Sequence, residues 1–220
     1  MILKYRTVEK LVLYYINMSN VSKLLNECKK GNARAIQKLL DAGTNVNDID
    51  SVGTNAIMLA SNLGHSNIVK ILLDYGANVN SKSSTIAWTP LMIALRSRHI
   101  TDTSILMDIV TTLLNRGGDP NLADWLGVTV LMYSSFKGYT EIVKQLLAYN
   151  ANIDATDKDG STALMYACEK GYIDIAQALL EKGANMNAKN NDGNTAIMVG
   201  SLYDHIDIVR LLLELEADIE

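Results

Sequence analysis

Three histidines, two cysteines, five recurrent methionines and one aspartate-rich loop are the residues of this 220-residue chain whose types could support catalysis or metal binding. A Ser/His/Asp triad or a histidine-rich metal site needs side chains that converge from different places. His65, His99 and His205 instead hold one phase of a repeating pattern, which sets them in a row. Cys28 and Cys168 each precede an inter-helix glycine (Gly31, Gly171) by three residues, a slot that Ser61 and Ser135 fill elsewhere. The slot therefore reads as small-residue packing, with neither a disulfide framework nor a thiolate site behind it. Met58, Met92, Met132, Met165 and Met198 could suggest a soft-metal stripe, but recurrence in one slot reads as packing by a flexible thioether. The segment Asp154-Ala-Thr-Asp-Lys-Asp-Gly160 imitates part of a calcium loop. With Gly160 at loop position six, however, positions one and twelve are Ala155 and Tyr166. Neither glycine-rich phosphate motif occurs. The chain therefore reads as non-enzymatic, with no catalytic residues, no metal and no cofactor.

The period that places these residues is about 33. Asn47, Asn80, Asn121, Asp154, Asn187 and Glu220 hold equivalent positions, and only the gap from Asn80 to Asn121 is longer, at 41. A phrase recurs within it: Asn55-Ala-Ile-Met58, Thr89-Pro-Leu-Met92, Thr129-Val-Leu-Met132, Thr162-Ala-Leu-Met165 and Thr195-Ala-Ile-Met198. Self-similarity at this length predicts stacked supersecondary units that bury their apolar faces against one another.

Residues 157–187 show the unit most clearly. Asp157-Lys-Asp-Gly160 is a turn signature. Thr162 caps a predicted helix over 163–170, and Gly171 ends it. A second predicted helix runs over about 173–181, with Ile175, Ala176, Leu179 and Leu180 at helical spacing, and Gly183 stops it. Neither helix is long enough to hold alone in water.

These phrases resemble the ankyrin repeat family, whose pattern is Asp-x-x-Gly-x-Thr-Pro-Leu-His-x-Ala-Ala, then Gly-His-x-x-Ile-Val-x-x-Leu-Leu-x-x-Gly-Ala-Asp. Gly64-His-Ser-Asn-Ile-Val-Lys-Ile-Leu-Leu-Asp-Tyr-Gly-Ala-Asn78 matches nearly every position, and Gly138-Tyr-Thr-Glu-Ile-Val-Lys-Gln-Leu-Leu147 matches as well. The resemblance implies an all-α ankyrin-repeat solenoid of helix-turn-helix units joined by hairpin-like turns. Six units are expected, at about 20–47, 48–80, 81–121, 122–154, 155–187 and 188–220, with 1–19 as an N-terminal capping helix. Methionine stands where the family has a histidine that helps hydrogen-bond adjacent units, so apolar packing is expected in its place.

The 41-residue unit carries one extra residue near Ser83–Ile86 and seven between His99 and Ile109. Thr101-Asp-Thr-Ser104 offers helix caps, so the insertion at 100–107 predicts an elongated second helix from near Asp102. Upstream, Tyr5, Val8, Leu11, Val12 and Tyr15 form one helical face over 5–18, suited to covering the open end of a stack. The opposite end carries Glu216 where glycine is expected and no such cover.

Net charge is −4, which disfavours a dedicated nucleic-acid binder, although residues 1–38 hold eight Lys or Arg against two Glu. No apolar run reaches a membrane span, and Leu11–Ile16 is too short and lacks a cleavage site for a signal peptide. A monomer in the cytoplasm, with no membrane or nucleic-acid partner, is the expectation. In the ankyrin family, partners bind the concave face made by the turns and the first helices. Carried onto this sequence, that face holds Val52 and Leu63 in unit two, Ile86 and Trp88 in unit three, and Trp125, Leu126, Val128 and Phe136 in unit four. Both tryptophans and the only phenylalanine fall there, as in a protein-binding hot spot. The resemblance thus implies a module for a protein or peptide partner. A scaffold or self-associating assembly that uses the uncovered C-terminal end is the alternative.

Overall fold

A computed structural model describes residues 21–215, and the chain divides into two compact units, 1–118 and 119–220. The expected capping helix over 5–18 and the terminal Glu216 and Glu220 lie outside the described residues. Among those described, the regular structure is helical, with one isolated bridge pairing Ala123 and Thr129.

The first unit carries α1 (21–29), α2 (Ala33–Asp41), α3 (Ala56–Leu63), α4 (Ser66–Asp74), α5 (Pro90–Arg96) and α6 (Thr103–Asn115). The second carries α7 (Val130–Lys137), α8 (Thr140–Ala148), α9 (Ala163–Lys170), α10 (Ile173–Glu181), α11 (Ala196–Leu202) and α12 (Ile206–Glu214). In each unit first helices pack on first helices and second on second: α3 on α5 and α4 on α6, then α7 on α9 on α11 and α8 on α10 on α12.

The recurrent phrase sets the helix starts. Asn55 Oδ1 and the Oγ1 of Thr89, Thr129 and Thr162 accept from the backbone N–H of Met58, Met92, Met132 and Met165 at 3.1–3.4 Å. This satisfies one orphan donor per helix. Those four methionines are 1–3% exposed, which is the packing role expected of them. One also replaces a polar contact, since Thr129 N–H donates to Met132 Sδ at 3.5 Å. Cys28, Ser61, Ser135 and Cys168 are fully buried, as a small-residue slot requires.

Consecutive repeats are tied by the side chain that defines the period. Asn47 Nδ2 donates to Gly76 O at 3.0 Å, and its Oδ1 accepts from Asn78 N at 2.7 Å. Asn121 does the same with Asn150 O and Asn152 N, at 3.3 and 2.6 Å. Asn80 donates to Gly117 O at 2.9 Å. Asp154 can only accept, from Asn185 N at 2.9 Å.

The irregular repeat follows its extra residues. Helix α6 has 13 residues against nine in α4, and Asp102 caps it, accepting from Ser104 N at 2.8 Å. One expectation is corrected: His99 does not share the place of His65 and His205, which stand at the N-cap positions of α4 and α12. The insertion moves His99 into an exposed link, and Ile100 and Ile105 pack over Gly64 instead. The turn before α5 is likewise one residue longer. Asp50, Asp124, Asp157 and Asn190 each donate their N–H to the carbonyl four residues on, whereas Ser83 reaches five residues, to Trp88 O at 3.0 Å. Ala87 then takes φ +56°, where Gly53, Gly127, Gly160 and Gly193 serve the other turns.

A left-handed alanine costs about 1–2 kcal/mol, and glycine gives back less than that through its freer unfolded chain. Ala87→Gly is therefore expected to stabilise the fold by roughly 0.5–1 kcal/mol, read as a higher urea midpoint in circular dichroism.

Candidate functional site

Four turns are closed by their own carboxylate or amide, at Asp50, Asp124, Asp157 and Asn190, and the turn before α5 by the Ser83 hydroxyl, which accepts from Trp88 N at 3.0 Å. Asp50 Oδ1 accepts from the N–H of Val52 and Thr54 at 3.0 and 2.8 Å, and Asp124 Oδ1 from those of Leu126 and Val128 at 2.9 and 3.0 Å. Asp157 Oδ1 accepts from Asp159 and Ser161 N at 2.9 Å each. These bonds aim the acid into the turn and push the intervening side chain outward.

Of the eight residues expected to form a binding face, four lie in each compact unit. In the first, Val52 is 65% exposed at its turn, while Leu63 and Ile86 are half-buried. Trp88 is half-buried too, with the Arg96 guanidinium 4.7 Å from its ring centre. In the second, Trp125 and Leu126 are 57% and 42% exposed at the turn before α7. Val128 and Phe136 are half-buried.

The second unit adds a network of rings and cations around these positions. Phe136 meets Tyr166 edge-on, with centroids 6.0 Å apart and planes at 88°. Tyr166 Oη donates to Asp157 Oδ2 at 2.5 Å, joining α9 to its own turn. Burial and that bond push the Tyr166 phenol up, so it stays protonated. Lys170 Nζ lies 4.4 Å from the Phe136 centroid and 2.7 Å from Glu169, whose carboxylate raises the lysine pKa. Lys158 Nζ lies 5.5 Å from the Trp125 centroid. Lys137 Nζ lies 5.6 Å from Tyr133 and 5.8 Å from Phe136. The period places Lys158 and Lys170 on this face, one repeat on from Trp125 and Lys137, as its polar continuation. What the sequence does not show is the rings they lie against.

Among the described residues no group of three or more His, Cys, Asp or Glu could hold a metal. Burial pushes the thiols of Cys28 and Cys168 up to about 12, so neither is an available nucleophile at neutral pH. The His205 ring packs over Gly171, with Nε2 3.0 Å from Glu169 O. His65 packs over Gly31 in the same way. No helix among the described residues is long and apolar enough to cross a membrane.

A second exposed surface lies on the last repeat. Leu202, Ile206 and Leu213 are 73%, 69% and 49% exposed. An open groove of about 610 Å³ is lined by Asn194, Ile197, Met198, Ser201, Leu202, Val209 and Leu213.

Comparison with known proteins places this geometry. The sequence profile described as ankyrin repeats (3 copies) matches residues 24–109, 103–190 and 156–220. The ankyrin repeat protein YahD of Escherichia coli (strain K12) is 28% identical over 132 residues, which are 60% of this chain and 64% of YahD. Ankyrin repeat, SAM and basic leucine zipper domain-containing protein 1 of Homo sapiens is 32% identical over 113 residues, 51% of this chain and 23% of that protein. The chain thus spans less than two thirds of the curated relatives it matches. The crystal structure of an ankyrin repeat domain from Acinetobacter baumannii AYE superposes with a TM-score of 0.80 at 26% identity, covering 89% of this chain and 98% of that one.

Proposed function

The chain belongs to the ankyrin repeat family, and from that membership we propose that it is a non-enzymatic binding protein whose partner is a protein or peptide taken up on the turns and first helices. The observation that carries this reading is the pair Trp125 and Leu126, left 57% and 42% exposed at a turn in which the N–H groups of Asp124, Leu126, Gly127 and Val128 are all bonded. A rigid turn that presents a large ring to solvent offers contact area at little entropic cost. Trp88, under Arg96, is the corresponding group in the first unit. Two deeply buried free thiols suit a reducing compartment such as the cytoplasm.

Replacing Trp88 and Trp125 with alanine is expected to abolish capture of the physiological partner in a pull-down from native lysate. The loss should amount to at least about 2 kcal/mol of binding free energy, with the helical circular dichroism unchanged. Retention of every captured protein at wild-type affinity would rule this surface out.

A second reading, self-association through the last repeat, rests on a separate observation. Met198 and Ser201 are half-buried and exposed, whereas their counterparts one repeat earlier, Met165 and Cys168, are 3% and 0% exposed. Among the described residues, the face that α9 and α10 bury against the next repeat is thus open on α11 and α12. If this face pairs with a second copy, light scattering shows a mass that climbs toward the dimer with concentration, and Leu202→Glu returns it to monomer. A concentration-independent monomer removes the reading.

A further inference from the structure

On the same face of the second compact unit, carboxylates and ammonium groups are disposed differently. Asp124 is 7% exposed and spends Oδ1 on two backbone N–H groups. Asp157 is held by two backbone N–H groups and the Tyr166 hydroxyl, and Glu169 by Lys170. The acids therefore serve the fold. Lys137 and Lys158 are exposed and, among the described residues, lie against rings with no carboxylate within ion-pair distance. A lysine stem resting on a ring keeps its ammonium in water while losing much of its rotamer freedom in advance. An incoming anion then finds a cation already placed, and forming the pair costs less ordering than it would at a free lysine.

We infer that this face selects an acidic peptide that also carries a large apolar side chain. Its carboxylates would meet Lys137 and Lys158, and its apolar group would cover Trp125 and Leu126. The inference rests on the binding reading above and names its partner's chemistry. The local charge fixes the sign, since Lys158 stands unmatched beside the exposed Trp125 and Lys137 beside the half-buried Tyr133 and Phe136. Two unmatched lysines with Asp159 exposed next to one of them are too few for the continuous backbone charge of single-stranded nucleic acid, which rings and a basic groove could otherwise accept. Asp159 is also the residue that opposes an acidic ligand most directly.

The test is selection of phage-displayed random linear peptides on the purified chain. Affinities of the best peptide are then measured for the wild type, for a Lys137→Glu/Lys158→Glu variant and for Asp159→Asn. All three positions are exposed, and thermal melts confirm that the variants fold. The inference predicts a selected pool rich in Asp and Glu with Leu, Met, Phe or Trp, at least about tenfold weaker binding after charge reversal, and tighter binding in Asp159→Asn. A Glu→Lys version of the peptide should recover affinity for the charge-reversed variant. Peptides without acidic enrichment, charge reversal within about twofold of wild type, or tighter binding of an oligothymidylate probe would each overturn this inference and leave peptide binding itself standing or replaced. A selection that yields no binding peptide would count against the proposed function as well.

Discussion

The structure depends on one side chain per repeat that bonds to the backbone of the next. Asn47 and Asn121 each give a side-chain N–H to a carbonyl 29 residues on and take a backbone N–H 31 residues on. Helices of seven to nine residues, such as α3 to α5, do not persist alone, so each repeat is ordered only in register with its neighbour. Apolar faces such as Leu72, Leu146 and Leu179 supply the driving force but would tolerate some sliding. A two-point amide contact does not, because a shifted repeat leaves a donor and an acceptor unpaired. Register in turn brings the turns side by side, with Lys158 N–H donating to Leu126 O and Asn191 N–H to Asp159 O at 2.9 Å.

That constraint explains how much was legible beforehand. Helix starts and stops were readable because they depend on local chemistry: the cap at Thr162, the left-handed Gly171 and the helix Ile173–Glu181 all stand where the pattern puts them. The elongated α6 was readable for the same reason, since Asp102 and Thr103 carry their own start signal. His99 misleads because its phase counts from the helix before the insertion, whereas the cap is set by the start of the helix after it, where Asp102 stands. Ala87 gave no warning, since nothing in an alanine announces a positive φ. Only the longer turn at Ser83 forces it.

For the proposed binding face, position was legible and environment was not. The period marks Trp88, Trp125 and Phe136 as turn and helix-end residues, but it says nothing of what lies over their rings. Arg96 over Trp88 comes from side-chain conformation within one repeat, and Lys158 over Trp125 and Lys170 over Phe136 from packing across two. They set cations beside the apolar rings of the proposed face. The same packing buries the two thiols, sets two of the histidine rings over glycines and turns the Oδ1 of Asp124 and Asp157 onto backbone N–H groups.

The claim that one side chain per repeat sets the register is tested most directly by urea unfolding of Asn121→Ala and Asp154→Asn beside the wild type. Asn121→Ala should lose about 1–2 kcal/mol, since two hydrogen bonds go. Asp154→Asn should gain about 0.5–1 kcal/mol by donating to Gly183 O as Asn47 does to Gly76 O. If both variants unfold within about 0.5 kcal/mol of wild type, the range of uninvolved surface changes, register is held by apolar packing alone and the account is wrong.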